Sequence, residues 1–268
     1  AVMAFVLGEL AESGCVPQKT IVFAGTCDEE RGGLGAKEII KEYPDLFPEL
    51  LLIGEPTSCQ AGVAQKGCIW LKLSVSGKTS HGAEPWQGIN ALEQGFGLLA
   101  DLREELKREE HPVLGRSTLQ ITMAEGGIAP NMTPDRAKFL ADIRIVPPLN
   151  EKEVLNRLEC LMQKRCEVYN GGLAFVPEIT NYRMPAETGP ENQWLHRLKG
   201  FIGDDAGETG INYFTDASIL LTAWPDSPAL LFGPGEPQMC HKPNEYVEIS
   251  KYLEAIRVME KFCWYIAK

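Results

Sequence analysis

The feature that most constrains the fold of this chain is a change in hydrophobic pattern between its ends and its middle. Towards the ends, short apolar runs at 20–25, 50–53 and 229–232 alternate with helical segments. A continuous apolar run is typical of a strand that is covered on both faces. Strands that alternate with helices indicate a parallel sheet with helices packed on it. We therefore predict an α/β fold class, a three-layer domain with a mostly parallel sheet, for residues 1–66 and 182–268.

In the middle of the chain, apolar and polar residues alternate, which is typical of strands with one wetter face. The alternation begins at Gly67 and continues in three later segments, with a helix after the first strand and another before the last. The order β-α-β-β-α-β is that of the ferredoxin-like fold. We predict that residues 67–181 form a ferredoxin-like α+β domain inserted into the α/β domain. In its second helix, Asn150 and Glu153 are placed to form a capping box.

The remaining helices are predicted from three- and four-residue apolar spacing and from their end signals. They are expected near 1–12, 35–43, 192–202, 215–223 and 249–266.

Composition excludes several classes of function. The 268 residues carry 37 acidic and 26 basic side chains, a net charge of −11, which makes a phosphate backbone an unsuitable partner. No apolar run approaches the roughly 20 residues that cross a bilayer, so we expect no membrane span. The eight cysteines form no Cys-x-x-Cys pair. We therefore expect reduced thiols in a cytoplasmic protein.

Three polar segments directly follow the predicted buried strands. The acidic triplet 28–30 follows the first strand, Glu55 follows the second, and a glycine-rich turn leading to His241 follows the third. Ligands of open α/β sheets bind beyond the carboxyl ends of the strands. Several carboxylates and an imidazole brought together there need a cation to balance them. The pattern therefore predicts a metal site at this edge of the sheet.

These segments resemble the motifs of the M20 family of dinuclear-zinc peptidases. The resemblance is carried in chain order by 25–33, 54–57, 76–85 and 233–241. Within the family, the acetylornithine deacetylase and succinyl-diaminopimelate desuccinylase group is most similar. The resemblance covers essentially the whole chain and identifies the inserted domain with the family's lid or dimerisation domain. It implies a homodimer formed through the lid and a small-molecule substrate, an N-acyl amino acid or short peptide.

The resemblance also assigns roles around the metal site. Glu29 matches the general base, Glu30 a ligand of one metal and Glu55 a ligand of the other. His241 matches a C-terminal metal ligand, and His81 matches the lid histidine that stabilises the oxyanion. The cofactor implied is zinc, two ions per active site, with Co²⁺ or Mn²⁺ as alternatives.

Three further residues correspond to substrate contacts. Asn131 and Arg144 match lid residues that bind the substrate carboxylate, and Thr215 lies in a segment similar to the family's substrate-side loop. A guanidinium suits a carboxylate because its planar donors match both oxygens. The sequence also allows Arg144 to pair with Asp142 or Glu178 instead.

The chain departs from the family in its metal ligands. The family's His-x-Asp strand end and bridging Asp precede the first helix, and neither is found in these 268 residues. The expectation is therefore an N-terminally incomplete catalytic domain, inactive as given, from a deacetylase or desuccinylase that hydrolyses C–N amide bonds. Two alternatives remain open: a carboxypeptidase or dipeptidase of the same clan, and a non-catalytic binding or assembly module that has lost the metal site.

Overall fold

The computed structural model describes residues 1–204 and 206–268, and these form two compact units. We call residues 1–65 and 186–268 the first unit, and residues 66–185 the inserted unit. The chain leaves the first unit at Gln65 and returns to it at Ala186, and these two residues are partners in a strand pair.

The helices and strands are numbered in chain order. The helices are α1 (Val2–Glu12), α2 (Leu34–Glu42), α3 (Ala91–Leu106), α4 (Glu151–Val168), α5 (Gln193–Ile202), α6 (Ala217–Ala223) and α7 (Ile249–Ala267). The strands are β1 (Leu51–Ile53), β2 (Ala61–Gln65), β3 (Gly67–Ser76), β4 (Glu110–His111), β5 (Gly115–Arg116), β6 (Thr118–Gly126), β7 (Arg136–Ile145), β8 (Ala174–Arg183), β9 (Ala186–Glu187), β10 (Glu208–Ile211) and β11 (Ala229–Leu231).

The first unit is built on a mixed sheet in which parallel pairing has the longer registers. The strand order is β1-β11-β2-β10, and β9 also pairs with β2. The β1–β11 and β2–β10 pairs are parallel, whereas β2 meets β11 and β9 in short antiparallel pairs. Helix α7 packs against α1 and α5, with Phe262 buried 6.2 Å from the ring of Trp194. These contacts confirm the predicted α/β class.

One predicted strand is wrong. Residues 20–25 form no strand, and Val22 and Phe23 are 61% and 52% exposed. A strand requires a neighbouring strand that pairs with its backbone groups, and the described residues place none beside this segment. An apolar run shows the side-chain composition of a segment, but it does not show whether a neighbouring strand is present.

The inserted unit has the predicted ferredoxin-like order. Its sheet runs β6-β7-β3-β8, and all three pairings are antiparallel. The apolar residues of β3 and β7 pack against the buried leucines of α3, so that Leu73 and Phe139 lie in one core with Leu98. The period-2 alternation arises because only one face of each strand is buried in this way.

The helices of the inserted unit begin and end where local signals place them. Asn150 caps α4 in a capping box: its side chain accepts from the Glu153 N–H at 3.1 Å, and the Glu153 carboxylate accepts from the Asn150 N–H at 3.1 Å. This confirms the predicted box.

Helix α3 packs against the sheet at Gly95, where an added Cβ would lie 2.0 Å from the Phe139 ring.

None of the helices in the described ranges is long and apolar enough to cross a membrane.

Candidate active site

The first unit places Glu55 at the carboxyl end of β1, as predicted. The side chain is half-buried, and its Oε2 lies 3.4 Å from the hydroxyl of Tyr213, which follows β10. On its other side, the Tyr213 hydroxyl lies 3.8 Å from the thiol of Cys240. Tyr213 is a site residue that the sequence analysis missed. It has no motif of its own, and its only sequence signal is its position two residues before Thr215.

The surroundings of Glu55 disfavour its ionised form. The pKa of its carboxyl is raised from 4.5 to about 7, mainly by burial and also by the nearby carboxylates of Glu29 and Asp216. The Tyr213 hydroxyl acts in the opposite direction, because a hydrogen bond to a carboxylate stabilises the charge. Negative charge thus accumulates around Glu55, and a bound cation would relieve it.

Glu30 and His241 are brought together in the same unit. Oε1 of Glu30 lies 3.9 Å from Nδ1 of His241, and both side chains are exposed. The backbone of His241 is in the left-handed region, with φ at 60°, and its N–H donates to Oε2 of Glu245 at 3.1 Å. A non-glycine residue in that region is uncommon and must be held there by its surroundings.

Glu29 and Glu30 lie on a tight turn that leads into α2. The carbonyl of Asp28 accepts from the N–H groups of Gly32 and Gly33, at 3.0 and 2.6 Å. Gly33 has a φ of 63°, and a Cβ there would lie 2.1 Å from the side chain of Ile219. Glu29 is half-buried and close enough to Glu55 to affect its pKa, whereas Glu30 is exposed. The two adjacent acids therefore occupy different environments.

Thr215 is placed inside the first unit and not at a surface. It is 1% exposed, its hydroxyl donates to Oε1 of Gln65 at 2.6 Å, and it accepts from the Ala217 N–H at 3.1 Å. Those bonds hold the start of α6 against the end of β2. Its neighbour Asp216 is buried, and its negative charge contributes to the raised pKa of Glu55. The Oδ1 atom of Asp216 has no hydrogen-bond partner among the described residues.

His81 and Asn131 are neighbours in the inserted unit. The Gly82 N–H donates to the Asn131 carbonyl at 2.7 Å, and His81 forms an isolated bridge with Met132. Nδ1 of His81 accepts from the Ala83 N–H at 3.1 Å, and the side chain is exposed. When Nδ1 of a neutral imidazole accepts, Nε2 carries the proton. His81 therefore presents a hydrogen-bond donor to solvent.

Arg144 lies at the opposite end of β7 from Asn131. Because β7 has ten residues, about 30 Å separates its two ends. One copy of the unit therefore does not bring these two residues onto the same carboxylate. Arg144 makes a two-point contact with Asp142, at 2.7 and 3.1 Å, and Asp142 also accepts from the Trp70 indole at 3.0 Å. Of the two partners that the sequence allowed, Asp142 is the one observed.

The donor types around Glu55 and His241 fit a divalent metal, although their number is small. Carboxylate and imidazole ligands suit zinc, manganese and cobalt. Glu30 and His241 are adjacent, and the pKa of the Glu55 carboxyl is raised by two neighbouring acids. Nevertheless, across residues 1–204 and 206–268 there is no cluster of three or more His, Cys, Asp or Glu side chains arranged to hold a metal. The residues present would supply only part of a ligand set.

Two comparisons with known sequences give matches to this chain. Residues 63–170 match the M20 peptidase dimerisation domain. Acetylornithine deacetylase of Shigella sonnei is 29% identical over 277 residues, which cover 98% of this chain and 70% of that protein.

Two solved structures share the fold. Aminopeptidase PepT of Bacillus cereus superposes with a TM-score of 0.78 at 19% identity, covering all of this chain and 69% of that one. An M20 metallo-carboxypeptidase of Sulfolobus solfataricus gives 0.58 at 16% identity, covering 85% of this chain and 66% of that one.

Proposed function

We propose that this chain, which matches the M20 dimerisation domain and is similar to acetylornithine deacetylase over 98% of its length, hydrolyses the amide bond of an N-acyl amino acid. The observation that carries the proposal is the grouping of Glu55, Glu29 and the Glu30–His241 pair in one unit. The extended similarity to acetylornithine deacetylase favours a deacylase over a peptidase. The fold shared with an aminopeptidase and a carboxypeptidase supports the alternative of a peptidase, carboxypeptidase or dipeptidase, of the same clan.

In the proposed mechanism, Glu30, Glu55 and His241 would hold the metal. A divalent ion held there, most suitably zinc, would supply Lewis acidity that lowers the pKa of a water and polarises the amide carbonyl. Glu29, which is half-buried, accepts the proton of the attacking water and later delivers it to the leaving amine. A general acid–base residue of this kind contributes about 10²- to 10⁴-fold in rate.

As the resemblance to the M20 family implies, we propose that residues of the inserted unit contact the substrate. His81 offers its Nε2 proton to the developing oxyanion, which fits its Nδ1 contact with the Ala83 N–H. Asn131 and Arg144 bind the substrate carboxylate. Because they lie at opposite ends of β7, we propose that they act in different subunits of a homodimer assembled through this unit.

The number of ligands sets an expectation for activity. Zinc normally takes three or four protein ligands, and two ions would have to share Glu30, Glu55 and His241. We therefore expect the 268 residues alone to bind metal weakly and to hydrolyse substrate slowly.

The free thiols of all eight cysteines support a reducing, cytoplasmic location.

The test measures bound metal and amide hydrolysis, on the full-length gene product and on the 268-residue chain. The substrates are N-acetyl and N-succinyl amino acids, dipeptides and tripeptides. We expect release of the acyl group from N-acyl amino acids, and a loss of at least about 100-fold in kcat for Glu29→Gln. Glu38→Gln is the matched control, since Glu38 is exposed on α2 and forms a surface ion pair with Lys41 at 3.0 Å.

The other outcomes separate the alternatives. Hydrolysis of peptides without hydrolysis of N-acyl amino acids would select a peptidase. Absence of both metal and turnover in the full-length product would leave a binding or assembly module.

A further inference from the structure

The side chain of Tyr213 bridges two loops that carry proposed metal ligands. We infer that Tyr213 is a positioning residue, which orients the Glu55 carboxylate for the metal and holds the Glu55 loop against the His241 loop. This inference rests on the function proposed above.

The contacts of the phenol place it between the two loops. Its hydroxyl lies 3.4 Å from Oε2 of Glu55 and 3.8 Å from Sγ of Cys240, and Cys240 directly precedes His241. Glu55 follows β1, Tyr213 follows β10, and Cys240 lies beyond β11. The hydroxyl of Tyr213 therefore contacts residues of two loops, one after β1 and one after β11. Tyr213 itself lies in a third loop, after β10.

The chemistry of a phenol suits this position. A hydroxyl can donate one hydrogen bond and accept another, so it can donate to the carboxylate and accept from the thiol. A phenol keeps its proton at neutral pH because its ordinary pKa is about 10. The 3.4 Å contact is long for such a bond, and it involves only one carboxylate oxygen, Oε2. In the proposed arrangement, the other oxygen, Oε1, would be the one that contacts the metal.

Hydrogen bonds to a ligating carboxylate normally fix its orientation. Loss of such an outer partner typically lowers metal affinity by about 10- to 100-fold. If Tyr213 only filled space, its replacement by phenylalanine would leave the metal affinity unchanged, because the ring is retained and only the hydroxyl is removed. The substitution Tyr213→Phe therefore isolates the proposed role.

The first test measures metal binding. Co²⁺ is titrated into wild type and Tyr213→Phe in competition with a chromophoric chelator, and the visible spectrum of bound Co²⁺ is recorded. We expect an affinity about 10- to 100-fold weaker and a changed spectrum for the variant. Tyr43→Phe is the control, because Tyr43 is exposed at the end of α2 in the same unit. Equal affinity and an identical spectrum would overturn the inference.

The second test needs no metal and separates this inference from the proposed function. Unfolding in urea is followed for Tyr213→Phe, Glu55→Gln and the double variant, and in a second cycle for Tyr213→Phe with Cys240→Ala. If the two residues of a cycle interact, the unfolding equilibrium constant of the double variant should differ from the value obtained by multiplying the effects of the two single variants. We expect a difference of at least about 2-fold in each cycle. Independent effects in both cycles would overturn the positioning role. If wild type takes up no metal, the proposed function fails and the cycles alone decide the role of Tyr213.

Discussion

At the scale of single residues, the charge state of Glu55 makes folding stability depend on pH. Burial raises its pKa from the ordinary value of 4.5 to about 7 in the folded protein. Between these values the folded state holds a proton that the unfolded state has released, so stability falls as the pH rises from about 4.5 to 7. Since the side chain is only partly buried, we expect a loss of about 2 kcal/mol.

Unfolding by urea at pH 5 and pH 8, in the presence of a chelator, measures this loss. The fall should disappear in Glu55→Gln and persist in Glu38→Gln, whose side chain is exposed. An unchanged pH dependence in Glu55→Gln would show that other groups are responsible.

A second residue-scale prediction concerns His81. Because its Nε2 proton is available as a donor, replacing the side chain should remove an interaction made mainly in the transition state. We expect His81→Ala to lower kcat of the full-length product by about 10²- to 10³-fold and to leave KM nearly unchanged. His196→Ala, an exposed change on α5, should retain wild-type kinetics. A change confined to KM would instead indicate a role in substrate binding.

At the scale of elements, close packing between α3 and its sheet depends on one glycine. An added methyl group at Gly95 would lie 2.0 Å from the Phe139 ring, so Gly95→Ala should lower the free energy of unfolding by about 1–3 kcal/mol. Gly200 is the matched control, because it lies in α5, is exposed and has no atom within 4 Å of an added Cβ. There the same change should stabilise the protein by about 0.5–1 kcal/mol. Thermal unfolding of both variants checks the prediction, which equal effects would contradict.

The sequence predicted elements well where side-chain pattern and environment agree. β3 and β7 alternate because one face of each meets α3 and α4, and the α4 boundary follows from Asn150. The segment 20–25 misled the prediction because its composition is apolar while no described strand pairs with it. β2 was missed for the opposite reason: it is fully buried, but it begins with alanine and glycine, which have weak strand preference.

The site was predictable only in part for a related reason. Motifs marked Glu30, Glu55 and His241 because each follows the end of a strand or a tight turn. Tyr213 carries no such mark, since its role depends on which loops meet in space. Thr215 lies in a recognisable segment, yet its hydroxyl is used by Gln65 and Ala217.

At the scale of the whole molecule, the inserted unit is expected to mediate dimer formation. Its sheet ends at β6, an edge strand on which Met123 is 56% exposed. An edge with unpaired backbone groups and apolar side chains favours pairing with a second copy. We expect a dimer at micromolar concentration by light scattering, and a monomer for Met123→Asp. Val168→Asp, at the exposed end of α4 in the same unit, should remain dimeric. A monomeric wild type would contradict this assembly.

The insertion of one unit into the other has a thermodynamic consequence for folding. Gln65 and Ala186 are partners in the first unit, and Cys68 and Arg183 are partners in the inserted unit. If residues 66–185 were unfolded, closing a loop of that length between Gln65 and Ala186 would cost the first unit about 4 kcal/mol of chain entropy. Once the inserted unit folds, its two ends already lie side by side and most of that cost is removed. The folded inserted unit thus acts on the first unit as a reversible cross-link, so damage to the core of the inserted unit would lower the stability of the first unit, which carries Glu55.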